Sequence, residues 1–534
     1  MRYPLAFLLL VTLAVGSSAQ QFEWANVHPL VLTANYNTVR NVLTLDTADN
    51  PVSGRLVRTV SGNFGESVIE KLNTSGTTIF SDTLFGKVFL QHLTSDNNNN
   101  LIAAGLFRDT IRVDTAMRTL PSSNLVHSFI MKLDPDGRLI WLRNMTQANP
   151  IYKEIFSLKT DGDNNIWAAT SPGFPTSYVM KLDGNGNEVA SFQQINARII
   201  SSLAIDAEGN VWAAGSTFDG SHSFNGLQVT APYPYNIYVV RYSPSGAAPF
   251  VRFVQDITLP SPFLAATGRD VIMGGRLLAP TSFGGLPAHG PRWVYDLYST
   301  RIDSSGSFAW LTEVPFEVGG DAGPGEGPFL ATGPDGSVIA TGFTRGTLNW
   351  GNGVVTQAQS TTDILVISHS FSDGTVQWAK TAGGVYYNRG DAVAIDRRGA
   401  IYVAGMVGVN ARFDSLQFTG EEINTFIARI GPGGATSVGD KPQPYEFALH
   451  QNYPNPFNPM TTITFSIPVG MGQAPSILKV YDLLGREVAT LVNGQRNPGT
   501  HKVIWNAEGA ASGVYICRLT TGGLTAARKL LLLR

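Results

Sequence analysis

A single cysteine, Cys517, stands in a chain of 534 residues, so no internal disulfide can form and a small stapled scaffold is excluded. Charge is sparse too. Charged residues make up 15%, and 38 Lys and Arg against 40 Asp and Glu leave a formal charge of −2. Nucleic acids and anionic membranes are bound by clustered Lys and Arg, so neither is an expected partner. Apart from a short N-terminal stretch, the chain lacks an uninterrupted apolar run near the roughly 20 residues that span a bilayer as a helix, so an integral membrane protein is not expected. Motifs with chemistry are missing as well: no G-x-S-x-G elbow, no phosphate-binding G-x-x-x-x-G-K-[ST], no H-E-x-x-H and no paired-Cys site. The 8 His residues show no ligand spacing. No catalytic residue, metal or cofactor is therefore assigned. What is plentiful is turn chemistry, with 56 Gly and 30 Pro, alongside 10% aromatics and 43% hydrophobic residues. That balance predicts large all-β units with ample core.

Residues 1–19 read as a secretory signal peptide: Met1-Arg2, an apolar run from Leu5 to Val15, and the small residues Ser17-Ser18-Ala19. No Cys follows it, so a lipoprotein anchor is not expected. Beyond it one spacing recurs, a basic residue followed five positions later by Gly: Lys71/Gly76, Lys132/Gly137, Lys181/Gly186, Arg241/Gly246, Arg301/Gly306, His369/Gly374 and Arg429/Gly434. Four residues after the Gly an aromatic usually stands, at Phe80, Trp141, Phe250, Trp310 and Trp378, with Ala190 and Val438 as exceptions. Upstream lies a turn marked by Asp46, Asp96, Asp161, Asp206, Ala266, Gly333 and Asp396, a mean period of about 58 residues. Asp caps such a turn with its side chain, and Gly or Asn three residues on tolerates the left-handed backbone.

Each repeat therefore reads as four short antiparallel strands, and the set as a seven-bladed β-propeller over 20–435. The last repeat lacks a fourth strand, because ATSVGDKPQP after Gly434 is poor strand material. Segment 21–30, with Trp24 in the aromatic slot, is expected to supply it and close the ring. The phrases GNVWAAG, YVVRYSPSG and WAKTAGG resemble SBBP-type bacterial β-propeller repeats, a resemblance that implies the fold and little chemistry. The repeated basic residue is expected to lay its aliphatic stem between blades with its head group in water.

After a Pro-containing linker at 436–447, residues 448–534 alternate strands with Gly, Pro and Asn turns, the pattern of a small β-sandwich. Pro454-Asn455-Pro456, the YDLLGREV hairpin, Gly513-Val514-Tyr515 and the terminal strand containing Lys529 closely resemble the type A C-terminal sorting domain of the type IX secretion system, which also looks like the Ig-like domain of hook-capping proteins. The resemblance implies recognition by the type IX translocon, passage across the outer membrane of a Bacteroidota-type bacterium, and an extracellular or surface-attached product.

Two Asp/Asn runs, Asp161-Asp163-Asn165 and Asp183-Asn185-Asn187, have the alternate oxygen spacing of calcium loops but no acid at the twelfth position, and they coincide with repeat turns. They are read as turns. The connections 216–236, 276–295, 311–328, 343–363 and 406–425 are long and share one end of the expected ring, where binding residues concentrate. Phe218, His222, Tyr233, Tyr235, Trp293, Trp350, Tyr386 and Tyr387 are the candidates there for contacting an unidentified glycan, peptide or protein ligand. An alternative is a propeller-based polysaccharide lyase or glycoside hydrolase with acids drawn from Glu313, Glu317, Asp321 and Glu326. A purely structural role at the cell surface is a third.

Overall fold

The structure, a computed structural model, describes residues 20–31, 40–61, 64–113, 126–148, 153–291, 296–315, 319–419, 423–431, 448–449, 452, 454–467, 474–496, 499–521 and 524–533. The expected signal peptide, most of the linker, Trp293 and Glu317 lie outside these residues. The chain divides into two compact units, Met1–Gly434 and Ala435–Arg534. Both are built from antiparallel strands, and among the described residues the only helix is Met145–Ala148. No helix among them is long and apolar enough to cross a membrane.

In the first unit, four strands consecutive in sequence pair in chain order. Glu154–Thr160, Ile166–Gly173, Thr176–Leu182 and Glu188–Ile195 form one such set. Phe263–Thr267, Asp270–Arg276, Leu297–Ile302 and Phe308–Glu313 form another. Arg389–Ile395, Ile401–Val407 and Asn424–Ile430 are joined by Phe22–Pro29 from the far end of the chain, with Trp24 opposite Arg429 and Asn26 opposite Ile427. First strands of successive sets touch one another through Val42–Leu45, Thr78–Ser95, Glu154–Thr160, Ile199–Ile205, Phe263–Thr267, Leu330–Thr332 and Arg389–Ile395, and the last touches the first. The succession closes on itself.

Side-chain chemistry explains the recurring turns. Asp96 accepts the backbone N–H groups of Asn98 and Asn100 at 2.9 Å each, and Asp206 does the same for Glu208 and Asn210. Three residues on, Asn99 has φ of 62° and Gly209 of 77°, the left-handed conformation that Cβ disfavours. Asp161 and Asp183 bind their own turns identically, which spends one carboxylate oxygen of each calcium-loop-like run on backbone donors.

The repeated basic residue departs from expectation. Its head group is not in water: Lys71 Nζ lies 2.8 Å from Asp46, Lys132 Nζ 2.9 Å from Asp96, and these four side chains are nearly inaccessible. Each amine also donates across to the next set, Lys71 to Pro135 O and Lys132 to Gly184 O at 3.2 Å. A buried carboxylate is too costly to leave unpaired, so turn and strand select each other. Where Ala266 replaces the turn Asp, Asp270 reaches back from the following strand to Arg301 at 2.6 Å. His369, in the set whose turn carries Gly333, is buried and stacks on Trp310 at 6.4 Å.

The aromatics fasten neighbouring sets. A Cβ on Gly76 would sit 2.7 Å from Trp24, on Gly137 2.8 Å from Phe80, on Gly306 2.5 Å from Phe250 and on Gly374 2.5 Å from Trp310. The turn Gly is thus required twice, for its backbone and for the ring of the preceding set lying on it. In the set with Ala190, Phe192 takes over and packs on Gly246.

The second unit has two antiparallel sheets. Ala448–Leu449, Met460–Ile467 and Gly499–Asn506 form one; Glu487–Arg496, Ala474–Tyr481, Gly513–Thr521 and Leu524–Leu532 form the other. They share a core that includes Phe457, Ile463, Phe465, Leu478, Val480, Trp505, Cys517, Leu530 and Leu532. Burial there pushes the Cys517 thiol up to about 12, so it is an inert core residue.

Candidate ligand-binding face and sorting module

Four of the five connections read as long loops contain β-ribbons; in 311–328 the strand Gly320–Pro324 pairs instead with Ser337–Asn349. Val211–Phe224 and Leu227–Tyr242 run on as a hairpin to an Asn225-Gly226 turn, with φ of 48° and 95°. Shorter ribbons follow at Thr281–Phe283 with Leu286–Ala288 and at Val409–Phe413 with Leu416–Phe418. Ribbons hold side chains on fixed sides of a sheet, which makes them stiffer supports than open loops.

On the longest ribbon Phe218 pairs directly with Tyr235, their rings 5.7 Å apart, and both are more than one-third exposed. Tyr233, two residues earlier, is equally exposed. The Arg198 guanidinium lies 5.8 Å from the Phe218 ring and 5.4 Å from that of Phe174, itself 55% exposed. Phe174 and Arg198 thus extend the patch onto the preceding set. They carry the surface as much as Phe218 does, and their lone positions in turn-rich text gave no signal.

Two expected ligand residues are not on that surface. His222 is buried, with one ring nitrogen 2.7 Å from Thr217 Oγ1, the other 2.7 Å from Gly220 O, and its ring stacked on Phe224. Trp350 is a core residue whose indole N–H donates to Thr356 Oγ1 at 3.0 Å. Both shape the ribbons from beneath.

Tyr386 and Tyr387 are the reverse case, at 63% and 55% exposed. Tyr386 has φ of 78°, a conformation costly for a residue with a Cβ. Buried Asn388 holds it there: its amide donates to Ser360 Oγ, Thr362 O and Gly384 O, and its oxygen accepts from the Gly384 and Gly408 N–H groups. A loop fastened this firmly to display two tyrosines has little conformational entropy left to lose on binding.

The candidate acids divide. Asp321 is buried with Arg345 3.9 Å away, and Glu326 is 3.6 Å from Arg389, which also holds Asp391 at 2.6 Å. Glu313 gathers the backbone N–H of His289 and a ring nitrogen of the same residue at 2.5 Å. Beside it, burial and then the Glu313 charge push the Asp296 carboxyl up to about 8. Asp296 carried no sequence signal.

In the second unit the Pro454-Asn455-Pro456 segment clips the last strand. Asn455 Oδ1 accepts the Leu531 N–H at 2.8 Å, Phe457 N–H donates to Leu531 O, and Leu533 N–H donates back to Phe457 O. Gly513 opens the neighbouring strand opposite Leu532, and Tyr515 packs at 5.3 Å on Trp505 while its hydroxyl donates to Ala511 O. Lys529 is exposed on the clipped strand. In the YDLLGREV hairpin, Asp482 accepts the Leu484 and Arg486 N–H groups, Gly485 has φ of 76°, and Leu483 and Leu484 project into solvent. The quoted sequence motifs are thus the turns, clip and strands of one small module.

Residues 451–532 match the secretion system C-terminal sorting domain. The sorting domain marks export by the type IX secretion system to the extracellular space or cell surface, which is where this protein goes. No curated protein matches the chain in sequence. Among solved structures it is similar to the WD40 domain of Neurospora crassa Pan2, with 12% identity, a TM-score of 0.38, and 76% of this chain and 91% of that one covered. It is also similar to a protein of unknown function from Bacteroides caccae, at 11% identity, a TM-score of 0.32, and 64% and 94% coverage. A quinohemoprotein alcohol dehydrogenase from Comamonas testosteroni gives 10% identity, a TM-score of 0.35, and 82% and 79% coverage. At this distance such likenesses say nothing of chemistry. What precedes the sorting domain is an all-β, propeller-like cargo.

Proposed function

We propose that the exported cargo is a seven-bladed β-propeller of the SBBP-repeat kind, carried by an Ig-like sorting domain that the type IX translocon recognises, and that it binds a glycan or peptide ligand outside the cell. The blade count rests on the sevenfold sequence period and on the closed succession of first strands. The binding role rests on one observation above the others: the Phe174–Arg198–Phe218–Tyr235 surface, in which flat rings and a guanidinium stand exposed on stiff supports. Aromatic faces contribute contact area at low entropy cost, and a guanidinium adds directional donors for carbonyl, hydroxyl or carboxylate groups. Tyr233, Tyr386 and Tyr387 enlarge the same capacity.

The cleavage alternative draws on Glu313 beside Asp296. Glu313, however, is already taken up by the backbone N–H groups of His289 and Gly290 and by the His289 ring, whereas the acids of a glycosidase stand about 5 to 9.5 Å apart and face the sugar and its water. Binding is therefore the preferred reading. A glycan and peptide array probed with the exported protein is expected to return ligands, and a polysaccharide-degradation screen no products. The double variant F218A/Y235A should weaken any captured ligand at least tenfold. Degradation products that vanish in Glu313→Gln would establish the enzyme instead, and silence in both screens would leave a structural surface role.

A further inference from the structure

The hairpin tip of the second unit breaks a rule that the first unit keeps. Its turn runs Asp482-Leu483-Leu484-Gly485: the Gly485 N–H donates to Asp482 O at 3.0 Å, and the Asp482 carboxylate accepts the Leu484 and Arg486 N–H groups at 2.9 Å each. The same turn recurs in the first unit, where Asp96, Asp303 and Asp396 each accept the same three N–H groups. There its central pair is Asn97-Asn98, Ser304-Ser305 or Arg397-Arg398, and no copy among the described residues carries a large apolar residue at those positions. The turn therefore neither needs nor shelters leucine.

Yet Leu483 and Leu484, 71% and 79% exposed, are the most exposed large apolar side chains among the described residues. Val488, the extra residue of the bulge between Glu487 and Ala489, stands 41% exposed on the returning strand. Single exposed apolar side chains are ordinary, whereas neighbouring ones mark an interaction surface. Charge offers the tip no other partner: Asp482 is paired with Arg486 and Lys479 with Glu487, each at 2.7 Å, so the acids and bases of the hairpin cancel one another beside the leucines. The Asp482 hydrogen bonds and the left-handed Gly485, with φ of 76°, hold the tip in one conformation, which leaves little entropy to lose on docking. Its place in the chain narrows what covers it, because the tip lies inside the matched sorting domain at 451–532, whose part in this protein is export.

We propose that Leu483 and Leu484 are the anchor by which the export machinery grips this protein, seated together in an apolar groove on a component of the type IX translocon. Two adjacent apolar side chains on a stiff turn have the form of an interface hot spot, in which a few anchors filling a pocket carry most of the binding energy. This assigns to two side chains the translocon recognition proposed above, and it rests on that reading.

The test produces the full-length chain in a bacterium with a type IX system, reads surface delivery by protease accessibility on whole cells, and reads folding by thermal melting of the recovered protein. The double variant Leu483→Ser/Leu484→Ser should cut delivery at least tenfold while leaving the melting temperature unchanged, since neither side chain is buried. Leu483→Met/Leu484→Met keeps the tip apolar and should be delivered normally. Ile504→Ser removes a 60% exposed apolar side chain from another strand of the same domain and should also be delivered normally. Normal delivery of the Ser pair would overturn the proposal. So would a delivery defect matched by a lower melting temperature, an equal defect in Ile504→Ser, or a dimer of the unaltered protein that the Ser pair dissolves, which would make a second copy the occupant. A chain lacking 448–534 separates the two levels: if it reaches the surface, recognition through the sorting domain has failed as a whole; if it does not while the Ser pair does, only the role of the tip has.

Discussion

His369 occupies the slot where other repeats carry Lys or Arg, and the turn opposite has Gly333 where others have Asp. Substituting both members removed a charge pair without stranding a charge, which is what burial demands. The cost appears in acid. Burial lowers the His369 pKa from 6.5 to about 4. Between those values the unfolded chain binds the proton and the folded one does not, so stability falls as pH drops from about 6.5 towards 4 and is unaffected above that range. At pH 5 the loss attributable to this residue is about 2 kcal/mol. Denaturant melts at pH 7.5 and pH 5 should therefore differ less in His369→Gln than in the unaltered protein by about that amount; equal pH dependence in the two would refute the assignment. The Lys–x₄–Gly spacing was legible because it repeats. Its partner was not, since Asp46 and Lys71 are 25 positions apart in a repeat of about 58 and only the antiparallel register brings them together. The head groups, expected in water, proved to be the buried link between turns.

Strand Phe22–Pro29 carries more than its pairing with Asn424–Ile430. Trp24 donates its indole N–H to Thr74 O at 3.0 Å, Asn26 donates to Gly76 O at 2.8 Å, and His28 lies 3.2 Å from Glu70, all in the first set of strands. Burial is the largest single influence on Glu70 and opposes its ionisation, yet His28, Arg55 and Thr78 together hold that carboxyl at about 2. One element thus joins the last set to the first. Deleting 20–30 should lower the thermal midpoint substantially and promote aggregation, because it bares the edge of Asn424–Ile430. The narrower Trp24→Ala should cost about 2 kcal/mol through lost packing on Gly76 and Tyr402. An unchanged midpoint in the deletion would sink the closure role. This strand was legible because its aromatic slot is local text. The ribbons were not, because Gly220, Pro232 and Pro234 punctuate 216–236 as a loop would. The overlooked signal was Asn225-Gly226, the dipeptide a tight hairpin favours, flanked by alternating residues. Alternation alone would still have put His222 on the face of Phe218; the irregularity between Phe218 and Gly220 is what turns His222 inward.

At the scale of the whole molecule, folding and delivery are separable, because the sorting domain buries its own core and the propeller-like unit buries others. Removing 448–534 should leave the cargo folded and strand it inside the outer membrane. A smaller cut is more informative. The strand Leu524–Leu532 supplies Leu530 and Leu532, both fully buried, and is the strand that Asn455 and Phe457 clip. Loss of two such leucines costs roughly 2 to 5 kcal/mol each, comparable with the whole stability of a small domain. Deleting 524–534 should then abolish delivery as completely as deleting the entire sorting domain, whereas Lys529→Ala, on an exposed position of that strand, tests surface recognition with the core intact. Protease accessibility on whole cells reads all three. If the short deletion is still displayed at the surface, an assembled module is not what the export machinery requires; if Lys529→Ala alone blocks display while the protein stays folded, recognition acts through that exposed strand face and the core serves to present it.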